Sequence, residues 1–220
     1  MKMKVVKLEH AALRIEHAGK RIAIDPGSMT SASSGAMLRG VDAVLITHKH
    51  GDHFAPAILH EIGAHIYGPA EVVDLAKAAG LAATALECGG VATIGGLVVT
   101  AVSANHGPEV RGPLDNFGFV IGAGDCQLYV TSDLAGPQQK LPLGPFALIA
   151  IPVEGGGFVF DGQEAAEFLK EIGHSGLALP VHADDAPDMR FKFTQAAALF
   201  CKPVELGIGG AIEVQGGTHV

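Results

Sequence analysis

Tryptophan is absent from this chain of 220 residues and tyrosine occurs only twice. A core built around large aromatic rings is therefore excluded, and its apolar volume must come mostly from Ala, Val, Leu and Ile. Cysteine is also scarce: Cys88, Cys126 and Cys201 each stand alone, with no C-x-x-C pair. That pattern fits a reducing compartment, where cysteine serves as a small buried hydrophobe. No apolar run reaches the roughly 20 residues needed to span a bilayer. Met1 to Glu9 is basic but has neither an apolar stretch nor a cleavage site, so no signal peptide is expected. Basic residues fall short of acidic ones, leaving a formal net charge of −8. A dedicated nucleic-acid binder, whose affinity comes largely from Lys and Arg on phosphates, is disfavoured. The expectation is a cytoplasmic protein acting on a small molecule, without nucleic-acid or membrane partners; homo-oligomerisation is left open.

Hydrophobic residues make up 48% of the chain and charged residues 17%, which suits a folded globular protein rather than a disordered one. Thirty Gly and 12 Pro imply many tight turns. Strands are predicted over Lys4–Leu8, Ala11–Glu16 and Arg21–Ile24, with a hairpin turn at His17–Lys20 and a breaker at Asp25-Pro26-Gly27. Ser28–Gly35 reads as a mobile loop. Val41–Thr47 is a mostly apolar run suited to a strand buried on both faces. Helices are predicted over Ala55–Ile62 and Glu71–Ala79, then strands over Leu97–Ser103, Phe117–Ile121 and Gln127–Thr131, the last two joined by a turn at Gly122–Asp125. A strand at Leu148–Val153, an amphipathic helix at Gly162–Ile172, a strand at Leu177–Val181 and a Thr194-capped helix to Cys201 follow. Val204–Val214 reads as two short strands around Gly207–Gly210. Strands, then strands alternating with helices, occur twice with no linker between, so residues 1–220 are expected to form one α/β domain with a mixed sheet system.

Eleven histidines are present, and four metal-ligand types crowd into six positions: His48, His50, Asp52 and His53. They follow the strand Val41–Thr47 directly, and sites in α/β sheets collect at carboxyl ends of strands. Imidazole and carboxylate both suit a borderline divalent ion such as Zn²⁺. A tight turn cannot easily aim four side chains at one ion. Two ions sharing the loop is the more comfortable geometry, His48 and His50 to one, Asp52 and His53 to the other, with Gly51 permitting the sharp turn. His10, His17, His60, His65, His174 and His219 show no ligand spacing and are expected at the surface or in turns. Glu154-Gly155-Gly156-Gly157 lacks the Lys-Ser/Thr ending of a phosphate loop and reads as a flexible wall near the site. Glu109 and Arg111 are expected in a solvated turn.

The H-x-H-x-D-H run after a strand resembles the metallo-β-lactamase fold superfamily. The resemblance implies a four-layer αββα sandwich (α/β, or α+β) with a metal site at one edge, and it extends over nearly the whole chain. It also gives meaning to residues that are unremarkable alone. His106, after Val102–Ser103, takes the place of the third ligand to the first ion. Asp133, in Thr131-Ser132-Asp133-Leu134, resembles the bridging aspartate. His182, closing Pro180-Val181-His182, resembles the last ligand to the second ion. Asp25 resembles the outer carboxylate that fixes a ligand imidazole. Family members often place Gly where Ser132 stands. Oxygen-reducing di-iron relatives carry Glu at the second ligand position, and His50 there favours hydrolysis.

Within the superfamily, Val98–His106, Asn116–Phe119 and the Asp161–Ile172 helix are similar to small bacterial hydrolases related to L-ascorbate-6-phosphate lactonase. The resemblance implies a hydrolase with two divalent ions, Zn²⁺ ahead of Mn²⁺, whose bridging hydroxide cleaves an ester, lactone or phosphoester-type bond. Asp52 would orient or deprotonate the nucleophile, and His182 and Asp133 would hold the second ion. The alternatives are a nuclease or RNA-processing phosphodiesterase of the same fold, disfavoured by the acidic balance, and a non-catalytic metal-binding protein. Substrate choice would reside in Ser28–Gly35, Pro108–Pro113 and Glu154–Gly157.

Overall fold

Hydrophobic alternation along the strands decides the architecture. In the computed structural model, which describes residues 1–110, 114–136, 138, 142 and 144–216, Val5 and Val6 are both fully buried but belong to different clusters. Val44, Leu45 and Ile46 alternate in the same way, as do Leu148, Ile149, Ala150 and Ile151. A strand buried on both faces carries a continuous apolar run, and here each face meets a different layer. Arg111, His219 and residues 111–113 of the expected Pro108–Pro113 loop lie outside the described residues.

The first half of the chain builds β1 (Lys2–Lys7), β2 (Leu13–His17), β3 (Lys20–Ile24), α1 (Ala32–Leu38), β4 (Ala43–Leu45), α2 (Pro56–Ile62), β5 (His65–Gly68), α3 (Ala70–Ala78) and β6 (Ala83–Ala85). The second half builds β7 (Val91–Ile94), β8 (Leu97–Ser103), β9 (Phe117–Ala123), β10 (Cys126–Val130), β11 (Leu148–Pro152), α4 (Gly162–Glu171), β12 (Leu177–Val181), α5 (Pro187–Ala197), β13 (Lys202–Pro203) and β14 (Ala211–Gln215). Among the described residues these strands form two seven-stranded sheets, ordered β14-β1-β2-β3-β4-β5-β6 and β13-β12-β11-β10-β9-β8-β7. The last strand thus returns to the first sheet, antiparallel to β1.

Inner faces meet through Val5, Ile15, Ile24 and Leu45 on one side and Val99, Phe119, Leu128 and Leu179 on the other. Burying each such side chain is worth about 1.5–3 kcal/mol, which lets an aliphatic core replace the missing large aromatics. Leu38, Leu59, Val72 and Ala76 cover the outer face of the first sheet from α1, α2 and α3. Ala165, Phe168, Leu169 and Phe193 cover the second from α4 and α5. The result is the expected αββα sandwich. No helix among the described residues is long and apolar enough to cross a membrane.

Several local expectations need correction. Ser28–Gly35 is not simply a loop: the Ser31 hydroxyl accepts from the Ser34 amide and starts α1 at Ala32, a short polar N-cap whose helix is too small to show periodicity. The strand expected over Val41–Thr47 is confined to Ala43–Leu45. The last helix begins at Pro187, not Thr194, with Pro in its first turn, and the Thr194 hydroxyl instead meets Glu205 at 3.1 Å. Strands β5, β6 and β7 carry only three or four residues each, too few for a period-2 signal. By contrast, α4 starts with a full capping box between Asp161 and Glu164.

Candidate metal centre

Strands β3 and β4 run parallel, as do β10, β11 and β12, so their carboxyl ends gather at one edge of the sandwich. Asp25 follows β3, His48–His53 follows β4, His106 follows β8, Asp133 follows β10, Glu154 follows β11 and His182 follows β12. The two sheets are tied there by the Phe117 amide, which donates to the Thr47 carbonyl at 3.0 Å.

In the first group, His48, His50, His106 and Asp133 offer ligand atoms that all lie within 4.8 Å of one another. His48 Nε2 lies 3.0 Å and His106 Nε2 3.2 Å from His50 Nδ1. The outer nitrogens fix the tautomers. His106 Nδ1 faces the Phe158 carbonyl at 2.9 Å, an acceptor only, so Nδ1 carries the proton and Nε2 the lone pair. The Thr47 hydroxyl donates to Asp25 and therefore accepts from His48 Nδ1 at 3.0 Å, which again leaves a lone pair on Nε2. Lone pairs converging at this spacing repel unless a cation lies between them.

In the second group, His10, Asp52, His53 and His182 gather in the same way. His53 Nδ1 donates to Asp25 Oδ2 at 2.9 Å, and His182 Nδ1 donates to Glu154 Oε2 at 2.6 Å. The Nε2 atoms of both rings are buried without a hydrogen-bond partner. His53 Nε2 is 3.2 Å from Asp133 Oδ1, near in distance but not aligned as a hydrogen bond. A buried polar atom left unpaired costs about 1–3 kcal/mol, and a divalent cation taking the lone pair removes that cost. The donor set therefore fits metal.

Asp133 stands between the groups. One oxygen faces His53, and the other lies 3.3 Å from His106 and 3.5 Å from His182. Burial alone would raise its pKa, but the charge of His53 and the closely facing His106 and His182 rings hold it well below the ordinary carboxylate value. Burial likewise disfavours a charged His53, yet the carboxylates of Asp133 and Asp25 outweigh it and raise the pKa of the metal-free ring. His182 behaves alike: burial opposes its charge, while Asp133 and Asp52 push the pKa up to about 10. For His48, burial and then the neighbouring His53 charge lower it.

Every expected site residue reaches this edge: His48, His50, Asp52, His53, His106, Asp133 and His182 converge, and Asp25 lies behind His53 and Thr47. The Glu154–Gly157 wall also lies at the cavity, which holds about 340 Å³ and is bordered by His50, Asp52, Glu154, Gly155, Gly156 and Phe158 among others. Glu109 is exposed, as expected of a solvated turn.

Two of the histidines expected at the surface or in turns are buried, His10 within a turn. His174 Nε2 meets the Leu177 carbonyl at 2.9 Å, remote from the centre. His10 lies within it, its Nε2 2.9 Å from Asp52 Oδ2. His10 has only Glu9 beside it among ligand types and no cluster around it, which hid it. Its place at the end of β1 was the available signal, since every other member also follows a strand.

A family model described as a beta-lactamase superfamily domain matches residues 4–182. A UPF0173 metal-dependent hydrolase of Methanosphaera stadtmanae is 30% identical, covering 96% of this chain and 95% of its own. Among solved structures, Igni18, a metallo hydrolase of Ignicoccus hospitalis, superposes with TM-score 0.77 at 23% identity, covering 98% of this chain and 99% of the other. The metallo-beta-lactamase fold protein YhfI of Bacillus subtilis gives 0.80 at 17% identity, covering 97% and 100%. These two likenesses bear on the fold, and the sequence matches carry the family: the chain belongs to the beta-lactamase superfamily, as a metal-dependent hydrolase of the metallo-β-lactamase fold.

Proposed function

We propose that this protein is a dinuclear hydrolase that cleaves an ester, lactone or phosphoester-type bond in a small molecule. The observation that carries the reading is Asp133, buried between two groups of imidazoles: in one the inward nitrogens of His48, His50 and His106 crowd together, in the other those of His53 and His182 lack partners. His48, His50 and His106 would hold one ion, Asp52, His53 and His182 the other, with Asp133 shared. A donor set so rich in imidazole favours Zn²⁺ over Mn²⁺, which prefers oxygen ligands. When bound, such a pair lowers the pKa of water and polarises the scissile carbonyl or phosphoryl oxygen.

The chain's own residues supply the rest. Asp52, one-third exposed, borders the cavity and is the carboxylate placed to orient the nucleophile and take its proton. Burial opposes ionisation of that carboxylate, but the His10 hydrogen bond and the nearby His182 ring hold it far below its ordinary pKa, so it is an ionised acceptor. Gly155 and Gly156 both have positive φ and bring backbone, not side chains, to the cavity wall, beside a half-exposed Phe158. A volume near 340 Å³ sits at the lower end of small-molecule pockets, about 300–1,000 Å³.

Elemental analysis after Zn²⁺ reconstitution should give two ions per chain. The loaded protein, offered lactones first, then phosphodiesters and thioesters, should turn over one class and lose activity when chelated. Fewer than two ions, or a fully loaded protein inert on every class, would refute the proposal.

A further inference from the structure

His10 sits closest of all to the second ligand group without belonging to the sequence pattern that announces it. Its backbone is pinned from both sides. The His10 amide donates to Asp184 Oδ2 at 2.6 Å, and the His182 amide donates to the His10 carbonyl at 3.0 Å. Asp184 Oδ1 accepts from Lys7 Nζ at 2.6 Å, and Lys7 is almost wholly buried. The end of β1 in one sheet is thereby fastened to the end of β12 in the other.

Proximity suggests a fourth ligand, but two observations exclude that. Imidazoles sharing an ion through bonds of about 2.0–2.1 Å at angles of about 90–120° place their ring centres about 4.5–5.6 Å apart. His48, His50 and His106 meet that condition, with centres 4.6, 4.9 and 4.9 Å apart, and His53 and His182 lie at its wide end, 5.6 Å apart. His10 and His182 lie only 3.5 Å apart, one ring packed over the other. Further, Nε2 of His10 faces an oxygen of ionised Asp52 at 2.9 Å, so that nitrogen bears a proton and presents no lone pair.

We propose that His10 is a positioning residue: its Nε2–H holds the Asp52 carboxylate in place for the second ion, and the ring is not itself a ligand. The inference rests on the two-ion reading above. Ligating carboxylates depend on such hydrogen bonds, whose loss typically weakens metal affinity about 10–100-fold.

The test compares the wild-type protein, His10→Ala and His10→Gln, each loaded with Co²⁺. Each is dialysed against graded chelator with elemental analysis, and visible absorption is recorded. Wild type should hold two ions. His10→Ala should weaken the second by about 10–100-fold and leave the first unchanged. His10→Gln, whose amide N–H reaches the same oxygen, should recover most of the loss with unshifted Co²⁺ bands. Wild-type affinity in His10→Ala would overturn the proposal. So would a Gln variant as weak as Ala, or one with shifted bands, since either makes the imidazole a ligand. Should His10→Ala not fold, the Gln variant decides alone. A wild-type protein holding fewer than two ions would instead defeat the two-ion reading.

Discussion

Asp25→Asn changes a single acceptor oxygen behind the metal centre. Asp25 is buried and accepts three hydrogen bonds: Oδ1 from the Thr47 amide at 2.8 Å, Oδ2 from the Thr47 hydroxyl at 2.7 Å and from His53 Nδ1 at 2.9 Å. Its φ is +47°, a conformation that Asn adopts more readily than most residues, so the backbone should not move. In the Asp25→Asn variant the side-chain oxygen can keep the Thr47 amide, a donor fixed by the chain. The new NH₂ then faces His53 Nδ1, which already bears a proton. Two donors cannot share that line, and an unpaired buried donor costs about 1–3 kcal/mol. The ring escapes by moving its proton from Nδ1 to Nε2, the atom that faces Asp133 and the second ion. Binding there must then displace that proton against the NH₂, and the expected loss is about 10–100-fold in second-ion affinity, or about 1.4–2.8 kcal/mol. The Thr47 hydroxyl loses the same acceptor and with it the bond that sets the His48 tautomer, so the first ion should weaken too, by less than the second because the hydroxyl can rotate. Zn²⁺ titration in competition with a chromophoric chelator resolves the two steps. Second-ion affinity equal to wild type would refute the reasoning, because the tautomer of His53 would not depend on Asp25.

Gly27→Ala should cripple the centre from outside it: a Cβ there would overlap the Asp52 carbonyl and the His53 amide, so metal content and melting temperature should both fall, and a variant retaining two ions at wild-type stability would contradict the packing. Glu154→Gln should have a milder effect, because Glu154 is half exposed and water can replace it at His182 Nδ1; a loss in second-ion affinity of about tenfold or less is expected by competition titration, and a hundredfold loss would show that Glu154 does more. Thiol labelling of the native protein should modify exposed Cys88 rapidly. Cys126 and Cys201 should react only after denaturation, since both are buried and burial pushes Cys201 up to about 11; fast labelling of three thiols would count against this core.

The candidate site was legible because its ligands obey two simple regularities. His48, His50, Asp52 and His53 are adjacent in sequence, and His106, Asp133 and His182 each close a strong apolar strand. His10 satisfied the second regularity but not the first, and its partners, Asp52 and Asp184, are 42 and 174 positions away. The α/β class was legible through the paired runs of strands and helices, and the αββα layering only through the resemblance that the H-x-H-x-D-H run carries. Short strands such as Ala83–Ala85 were not, because tertiary pairing rather than local pattern makes them strands. The start of α5 was hidden by Asp-Ala-Pro, which reads as a turn but places Pro where a helix tolerates it.

Backbone conformation was invisible in the sequence and yet explains the resting geometry of the centre. Five non-glycine residues have positive φ among the described residues: Ala18 in a hairpin turn, and His10, Asp25, Ser132 and His182 at the metal edge. At each of the four, the chain leaves a strand sharply while delivering a side chain or its neighbour into the centre. Ser132 stands at φ +62°, a conformation that glycine would adopt without strain. The left-handed region costs about 1–2 kcal/mol per residue, so the four together cost roughly 4–8 kcal/mol. Seven hydrogen bonds hold these turns: three to Asp25, Ser132 to Asn116 and Asn116 to the Asp133 carbonyl, His10 to Asp184, and His182 to His10. At about 1 kcal/mol each they offset the strain almost evenly. The ligands are thus held in place by the protein before any ion arrives, so cation binding need not supply the energy of bending the chain.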